Sequence, residues 1–273
     1  MEPLVSVCIP AYNNAGYIKE TIDSILNQTY QNIELIVVDD NSKDNTYEVI
    51  SSIPDKRVKA YRNEKNLGMS GNWNRCLELV SGEFVKLICA DDLIEKDAIE
   101  KETRALIENP TAVLAESDSK LVDMQGKQHG TYKRYHKSGL VNGKKVAKSG
   151  LRSQNYFGAP LANMIRKSAL DKVGGFDTDF VYILDYDFYM RIASQGDIFV
   201  IHEPLNGFRI RNDSNTGQVM GGGKEKAYIA EHRMLLEKHK EELGLSGFAV
   251  WQSMMARRLR SFLISVYLKI FAK

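Results

Sequence analysis

Phe84-Val85-Lys86-Leu87-Ile88-Cys89-Ala90-Asp91-Asp92 is the stretch on which the reading of this chain turns. Mostly β-forming residues run into two adjacent carboxylates, and Leu93-Ile94 and a charged, helix-forming segment follow. The pattern predicts a buried strand that delivers two acids to its carboxyl end, where open α/β sheets bind ligands. Two adjacent acids suit a hard divalent cation that also holds phosphate oxygens. The plainer alternative is that Asp91 or Asp92 caps a helix beginning near Asp97. Taken alone, the stretch leaves both readings open.

The flanking sequence repeats the same grammar. Leu4 to Ile9 is an apolar run closed by Pro10, and Tyr17 to Leu26 carries helical spacing through Ile18, Ile22, Ile25 and Leu26. Ile33 to Val38 is apolar enough for a strand buried on both faces, and it ends in Asp39-Asp40-Asn41-Ser42 before a helix at Thr46 to Ser52. Val58 to Tyr61 reads as a strand, Met69 to Val80 as a helix, Phe84 to Ile88 as a strand and Lys96 to Glu108 as a helix stopped by Asn109-Pro110. This alternation predicts a mostly parallel, Rossmann-like central sheet covered by helices.

After the strand Ala112 to Ser117 the rhythm breaks. Residues 124–155, rich in Gly, Lys, His, Ser and Tyr, read as one long loop. Structure resumes at Leu161 to Arg166, with helices at Lys167 to Val173 and Leu184 to Ser194 and short strands at Ile198 to Ile201 and Leu205 to Ile210. From about residue 224 the chain turns helical and basic. These shifts divide it into residues 1–215 and a helical C-terminal extension, 216–273.

Composition narrows the class. The 273 residues are 43% hydrophobic and 26% charged, ordinary for a soluble globular chain, and the net charge of +2 gives no reason to expect a nucleic-acid partner. Cys8, Cys76 and Cys89 cannot build a disulfide framework, no histidines have zinc spacing, and no apolar run reaches transmembrane length. The N-terminus enters a strand directly without a signal-peptide pattern, so a cytoplasmic location is expected. The glycine-rich dinucleotide fingerprint and the Walker P-loop are both absent, so a bound nucleotide would be held by a metal and side chains.

Three acidic clusters stand at strand ends or helix starts: Asp39-Asp40, Asp91-Asp92 and Asp185/Asp187. The carboxyl ends of successive parallel strands share one edge, so the first two should converge, with the third facing them across a cleft. One pair would bind a metal–diphosphate, another the base or ribose, and the third could accept a proton from an incoming nucleophile.

Val5-Ser6-Val7-Cys8-Ile9-Pro10-Ala11-Tyr12-Asn13, Ser24-Ile25-Leu26-Asn27-Gln28-Thr29-Tyr30, Glu34 through Thr46, Asn66-Leu67-Gly68 and Gly82-Glu83-Phe84 follow one another in an order that resembles the family 2 glycosyltransferases of GT-A fold, from about residue 4 to 215. The resemblance implies an inverting, metal-dependent transferase using a UDP-sugar donor and Mn2+ or Mg2+. Pro10, Ala11 and Tyr12 would line the base pocket, with Tyr12 stacking on the base, and Asp40 would accept a hydrogen bond from it. Asp92 would be the principal metal ligand, and Asp91 would contact ribose or metal. Asp185 matches the catalytic base, Gly174-Gly175-Phe176-Asp177 a loop near donor sugar and acceptor, and Arg209 and Arg211 a segment that closes over the diphosphate. The sequence departs from the family pattern at Cys89, which replaces the first Asp of the metal motif, at Leu184, which replaces the acid before the base, and at Trp73, where arginine is common. Leu184 should make the site drier and raise the base's pKa.

A sugar-nucleotide nucleotidyltransferase is the alternative enzyme class, but Pro10 to Gly16 lacks the glycine- and Lys-bearing triphosphate loop it would need. A non-catalytic carbohydrate- or membrane-binding module would have no use for Asp40, Asp92 and Asp185 together. In the tail, Phe248, Trp251, Met255, Leu259, Phe262, Leu263, Val266 and Ile270 fall on one helical face among Arg257, Arg258, Arg260 and Lys269. Such a face either docks on the main domain or a second subunit, or lies in a membrane interface at 246–273. The oligomeric state stays open. The expected acceptor is a glycan, or a lipid-linked one in bacterial surface polysaccharide synthesis if the tail touches the inner face of the cell membrane.

Overall fold

β1 (Val5–Ala11), β2 (Ile33–Asp39), β3 (Val58–Arg62) and β4 (Phe84–Leu87) form the parallel half of one sheet, in the order β3-β2-β1-β4. The computed structural model describes residues 2–209 and 223–271, leaving the side chains of 260–271 outside that description. Beyond β4 the order continues through β9 (Asn163–Arg166), β6 (Ala112–Val122), β10 (Asp197–Arg209) and β5 (Leu93–Ile94). There β9 runs antiparallel to both β4 and β6, β10 parallel to β6, and β5 antiparallel to β10. Helices α1 (Ile18–Leu26), α2 (Thr46–Ser51), α3 (Gly68–Glu78), α4 (Ala98–Glu108), α5 (Gly143–Arg152), α6 (Lys167–Val173), α7 (Leu184–Ala193), α8 (Glu225–His239) and α9 (Gly247–Phe271) complete the described chain.

The continuous apolar runs of β1 and β2 arise because both faces of the sheet are covered. Successive side chains point to opposite faces, and the two faces feed two cores. Val5, Val7, Ile9, Leu35 and Val37 pack with Ile18, Ile22 and Ile25 of α1 and Ile99 and Leu106 of α4. Cys8, Ile36 and Val38 pack with Cys76 and Leu77 of α3 and with the α5–α7 layer. β1 pairs with β4 only from Val5 to Cys8, while its pairing with β2 continues to Ala11. A proline is tolerated at Pro10 because one side of the strand is open there.

A buried ion pair ties the middle of the sheet. Lys86 Nζ lies 2.8 Å from Glu102 Oε2, both side chains fully buried, and Ser117 Oγ donates to Glu102 Oε1 at 2.9 Å. The pair joins β4, α4 and β6, and removing one partner would leave a buried charge at a cost of about 3–5 kcal/mol.

Residues 124–155 are not one long loop. They contain β7 (Gln128–Tyr132), antiparallel to β6, β8 (Gly139–Asn142), antiparallel to β10, and α5. The periodicity is weak because β7 is an edge strand largely open to solvent and because α5 buries small residues, Gly143, Ala147 and Gly150, beside Leu151. Gly143 is required there: a Cβ would stand 2.1 Å from the Ala193 carbonyl oxygen. Asn142 caps α5 by accepting from Lys145 N–H at 3.0 Å. The two short strands expected at Ile198 to Ile210 are likewise one strand through Arg209, with its register shifting around Pro204.

The tail also differs from one expectation. Phe248, Trp251, Met255 and Leu259 are 46–70% exposed, so the described part of this face does not dock on the main body; the side chains of Phe262, Leu263, Val266 and Ile270 lie outside the described residues. α9 instead packs through Ala249, Ser253 and Arg257, which lie along the opposite face. Ser253 Oγ bonds His232 Nε2 at 2.9 Å and donates to the Leu151 carbonyl, and Arg257 donates to Tyr228 Oη at 3.1 Å. No helix among the described residues is long and apolar enough to cross a membrane.

Candidate active site

The loops leaving β1 and β2 are laced together. Asn13 and Asn41 both take left-handed backbone (φ 53° and 57°), a conformation asparagine tolerates better than most residues. Asn13 N–H donates to Ser42 Oγ at 2.9 Å, Asn14 N–H to Thr46 Oγ1 at 2.8 Å and Ala15 N–H to Asp44 Oδ2 at 3.1 Å, while Lys43 N–H donates back to Asn13 Oδ1 at 2.9 Å. The amides that a phosphate-cradling loop would offer are therefore taken up by side chains of the next loop. Tyr12 stands out from this lacing, 42% exposed, beside buried Pro10 and Ala11.

Asp40 is buried behind Tyr12's loop, and its amide donates to the Ala11 carbonyl at 2.8 Å. Its carboxylate accepts from Asn63 Nδ2 and Leu67 N–H, each at 2.8 Å, and from Gly68 N–H at 3.0 Å. It thus caps α3, whose own cap residue Leu67 has no acceptor. A carboxylate has about four lone-pair sites, so one acceptor position remains for a ligand donor.

The turn Cys89–Asp92 follows β4 directly. Asp97, not Asp91 or Asp92, occupies the cap position of α4, and β5 intervenes. The helix-cap alternative for the acid pair is thereby excluded. Asp92 is 2% exposed, and Arg209 N–H donates to its Oδ1 at 3.0 Å. The Arg209 guanidinium donates to the Asp91 carbonyl at 2.8 Å, the Met124 carbonyl at 2.9 Å and Glu20 Oε2 at 2.8 Å. Arg209 is buried and braces the acid turn from behind. Arg211, expected beside it, lies outside the described residues.

Asp185 sits in the first turn of α7, where Tyr186 N–H donates to its Oδ1 at 2.7 Å. Burial pushes its pKa up to about 6, an effect partly offset by that bond and by the Arg134 charge. Its neighbour Leu184 is 3% exposed, the dry flank expected from the sequence. Cys89 reports where these groups converge. Its thiol is held well above the usual range, first by burial and then by the charges of Asp92, Asp91 and Asp185. Cys89 therefore stays a neutral thiol, with the second and third acidic clusters within electrostatic reach of it.

Asp187 has a different fate. It is fully buried, with Arg191 Nε at 2.8 Å and His239 Nε2 at 2.8 Å. Burial would raise its pKa, but the His239 bond and Arg191 outweigh that and hold it low. The Gly174-Gly175-Phe176-Asp177 loop is fixed to α3: Asn74 Nδ2 donates to the Phe176 carbonyl at 2.9 Å and Asn74 Oδ1 accepts from Phe176 N–H at 2.6 Å. Trp73, standing where arginine was expected, packs edge-on against Phe176 with ring centroids 5.1 Å apart.

Sequence reading did not single out Arg134. Its side chain is 6% exposed and stands 3.7 Å from buried Glu116, whose pKa burial raises to about 8. The guanidinium occupies the space above Gly158, where a Cβ would lie 1.7 Å from Nη2. The run of lysines and arginines among residues 127–152 was its only signal.

Asp91 and Asp92 provide hard oxygen donors beside the cleft, and no group of three side-chain ligands exists among the described residues. Two carboxylates completed by substrate phosphates and water are the donor set that Mg2+ and similar cations accept, so the residues fit such an ion.

The profile described as Glycosyl transferase family 2 matches residues 6–174. An uncharacterized glycosyltransferase of Rickettsia typhi is 32% identical over 80% of this chain and 67% of its own length. A putative teichuronic acid biosynthesis glycosyltransferase, TuaG of Bacillus subtilis, is 35% identical over 41% of this chain and 45% of its own length. The chain thus spans about two thirds or less of these relatives. Among solved structures, S. aureus TarS 1–349 in complex with UDP-GlcNAc superposes with a TM-score of 0.68 at 20% identity, covering 88% of this chain and 70% of that one. The mannosyltransferase PcManGT of Pyrobaculum calidifontis, in complex with GDP-Man and Mn2+, gives 0.61 at 18% identity, covering 100% and 80%. At these identities the structural likeness establishes the fold, the mixed α/β sheet of the GT-A glycosyltransferases.

Proposed function

The chain belongs to glycosyl transferase family 2, and on that premise we propose that it moves a sugar from a UDP-sugar to a hydroxyl of a glycan or lipid-linked acceptor, with inversion. The observation that carries this reading is the placement of Asp185: a carboxyl raised to about 6, within electrostatic reach of the thiol that also feels Asp91 and Asp92. A base of that pKa is ionised at neutral pH yet basic enough to take a hydroxyl proton.

In the proposed reaction the acceptor oxygen gives its proton to Asp185 and bonds the anomeric carbon from the face opposite the diphosphate. The bond from that carbon to the phosphate oxygen breaks, and UDP leaves with the electron pair. Asp91 and Asp92 would hold Mn2+ or Mg2+, which when bound supplies positive charge to the departing diphosphate. Tyr12 stacks on the base, Pro10 and Ala11 shape its pocket, and Asp40 offers it the remaining acceptor position. Arg209 keeps the acid turn in place, and Arg211 is assigned to the diphosphate from sequence alone. The likeness to TuaG, a putative teichuronic acid biosynthesis glycosyltransferase, supports a place in surface-polymer synthesis.

The tail is assigned to a lipid surface. Its outward face carries Phe248, Trp251, Met255 and Leu259, and Arg258 is exposed beside them. The sequence after Glu242 has no Asp or Glu but carries Arg257, Arg258, Arg260, Lys269 and Lys273. An apolar face with basic flanks and no acid suits an anionic bilayer better than a second copy carrying the same charge.

Two measurements test the reading. A screen of UDP-sugars for metal-dependent UDP release identifies the donor. Asp185→Asn should then cut transfer by about 10²–10⁴-fold, the range for loss of a general base, while UDP binding persists. Near-normal turnover in that variant would overturn the assignment.

A further inference from the structure

The helix that carries Asp185 has no cap of its own. Ile183 occupies the cap position and offers no side-chain acceptor, although the first N–H groups of any helix need partners from outside it. Three successive amides ahead of α7 instead reach one carboxylate on α8. Val181 N–H donates to Glu231 Oε1 at 3.1 Å, and Tyr182 and Ile183 N–H donate to Oε2 at 2.8 and 3.2 Å. Glu231 is 9% exposed, so these bonds form away from bulk water. Farther along the same helix His239 bonds Asp187 at 2.8 Å. The two contacts grip α7 on either side of Asp185, at residues 183 and 187.

We infer that Glu231 is a positioning residue for the transfer reaction: its carboxylate fixes the backbone from Val181 to Ile183 and with it the location of Asp185. The inference rests on Asp185 being the base. A carboxylate is suited to the task because it is acceptor-only and can take all three amides at once. Glutamine of the same size would turn an NH2 group toward amide donors. Misplacing a reacting group by about 1 Å can lower a rate by roughly 10²-fold, so a small slip at residues 181–183 is enough to be felt in catalysis.

The test compares Glu231→Gln and Glu231→Ala in the full chain, using the UDP-sugar that the screen selects. Turnover, donor KM, UDP affinity by calorimetry and thermal unfolding are measured together. The expected result is kcat lowered about tenfold or more in the Gln variant and further in the Ala variant. Donor KM and UDP affinity should stay within about twofold, because the nucleotide side of the cleft is held by other elements. If the Ala variant does not fold, the Gln variant decides. A folded Gln variant with kcat within about twofold of wild type overturns the inference. So does a parallel loss of kcat and UDP affinity, which would mark a general structural role. An inactive Asp185→Asn beside a fully active Glu231→Gln refutes only this inference, whereas an active Asp185→Asn refutes the base assignment itself.

Discussion

The loops after β1 and β2 are held by partners 29–32 residues apart, within one strand-helix-strand unit. The helix bearing Asp185 is held by partners 48–52 residues away, on α8. The loops proposed to hold the base are thus built from local lacing. The Asp91–Asp92 turn is braced by Arg209 from 117 residues away, and the helix that carries Asp185 is held by the docking of the C-terminal extension. What first reads as an appendage is part of the framework of the helix that carries Asp185. Substitutions on the two sides should therefore fail in different ways: those on the first weaken binding, and those on the second weaken turnover.

After the loss of transfer expected of Asp185→Asn, the largest effect is expected on the binding side. Asp92→Ala should weaken metal-dependent UDP binding by at least about 10–100-fold, the range already seen on losing groups that merely orient a metal ligand. Calorimetry with and without Mn2+ measures it, and unchanged affinity would remove Asp92 from the ligand set and dissolve the division between the two sides. On the other side, His239→Ala leaves buried Asp187 without one of its two close partners. It should destabilise the fold by about 1–3 kcal/mol, and urea unfolding measures the change. UDP affinity should hold in the variant while turnover falls.

A pH series sharpens the contrast. Transfer should fall as pH drops through about 6, because Asp185 must be ionised to act. The stability sign is the opposite. A carboxyl whose folded pKa is raised adds stability below its unfolded value, and that contribution is lost as pH rises through about 6. Asp185→Asn should therefore raise the melting temperature at pH 7 relative to wild type, with the advantage vanishing near pH 4. No gain at neutral pH would mean that the carboxyl is well solvated. Glu34, at the opposite, amino end of β2, provides the counterexample. Burial would raise it, but Lys59, Ser6 and Ser81 hold its pKa down to about 2, so its contribution is present above its ordinary value and is lost as pH falls toward 2.

The smallest effect on stability is expected in the tail. Replacing exposed Phe248 and Trp251 together with Glu should leave unfolding within about 0.5 kcal/mol, as surface changes usually do. The same variant should lose sedimentation with anionic vesicles. Equal sedimentation of both proteins would rule out this face as the lipid contact.

The placement of the candidate site's acids was legible in the sequence. Asp40, Asp91, Asp92 and Asp185 stand next to apolar runs whose length and β-forming character place them at strand ends or at a helix start. Turn residues such as Asn13 and Asn41 mark the loops by their own chemistry. The edge strand β7 and the small-residue face of α5 were not legible, since neither leaves a strong apolar period. Arg134 was not legible either, because its position depends on the bare backbone at Gly158.

The sequence by itself determined that a covered sheet would bring acids to one edge, because burial on both faces forces a continuous apolar run and ends it abruptly in polar residues. Only the tertiary structure decided how each acid is held. Asp185 and Asp187 are two positions apart on one helix, yet one is left with a raised pKa near Cys89 and the other is neutralised by His239 and Arg191. A carboxylate's state is set by the groups that surround it: Asp187 is held by His239, 52 residues farther along the chain, whereas Asp185 meets the Tyr186 amide and the Arg134 charge.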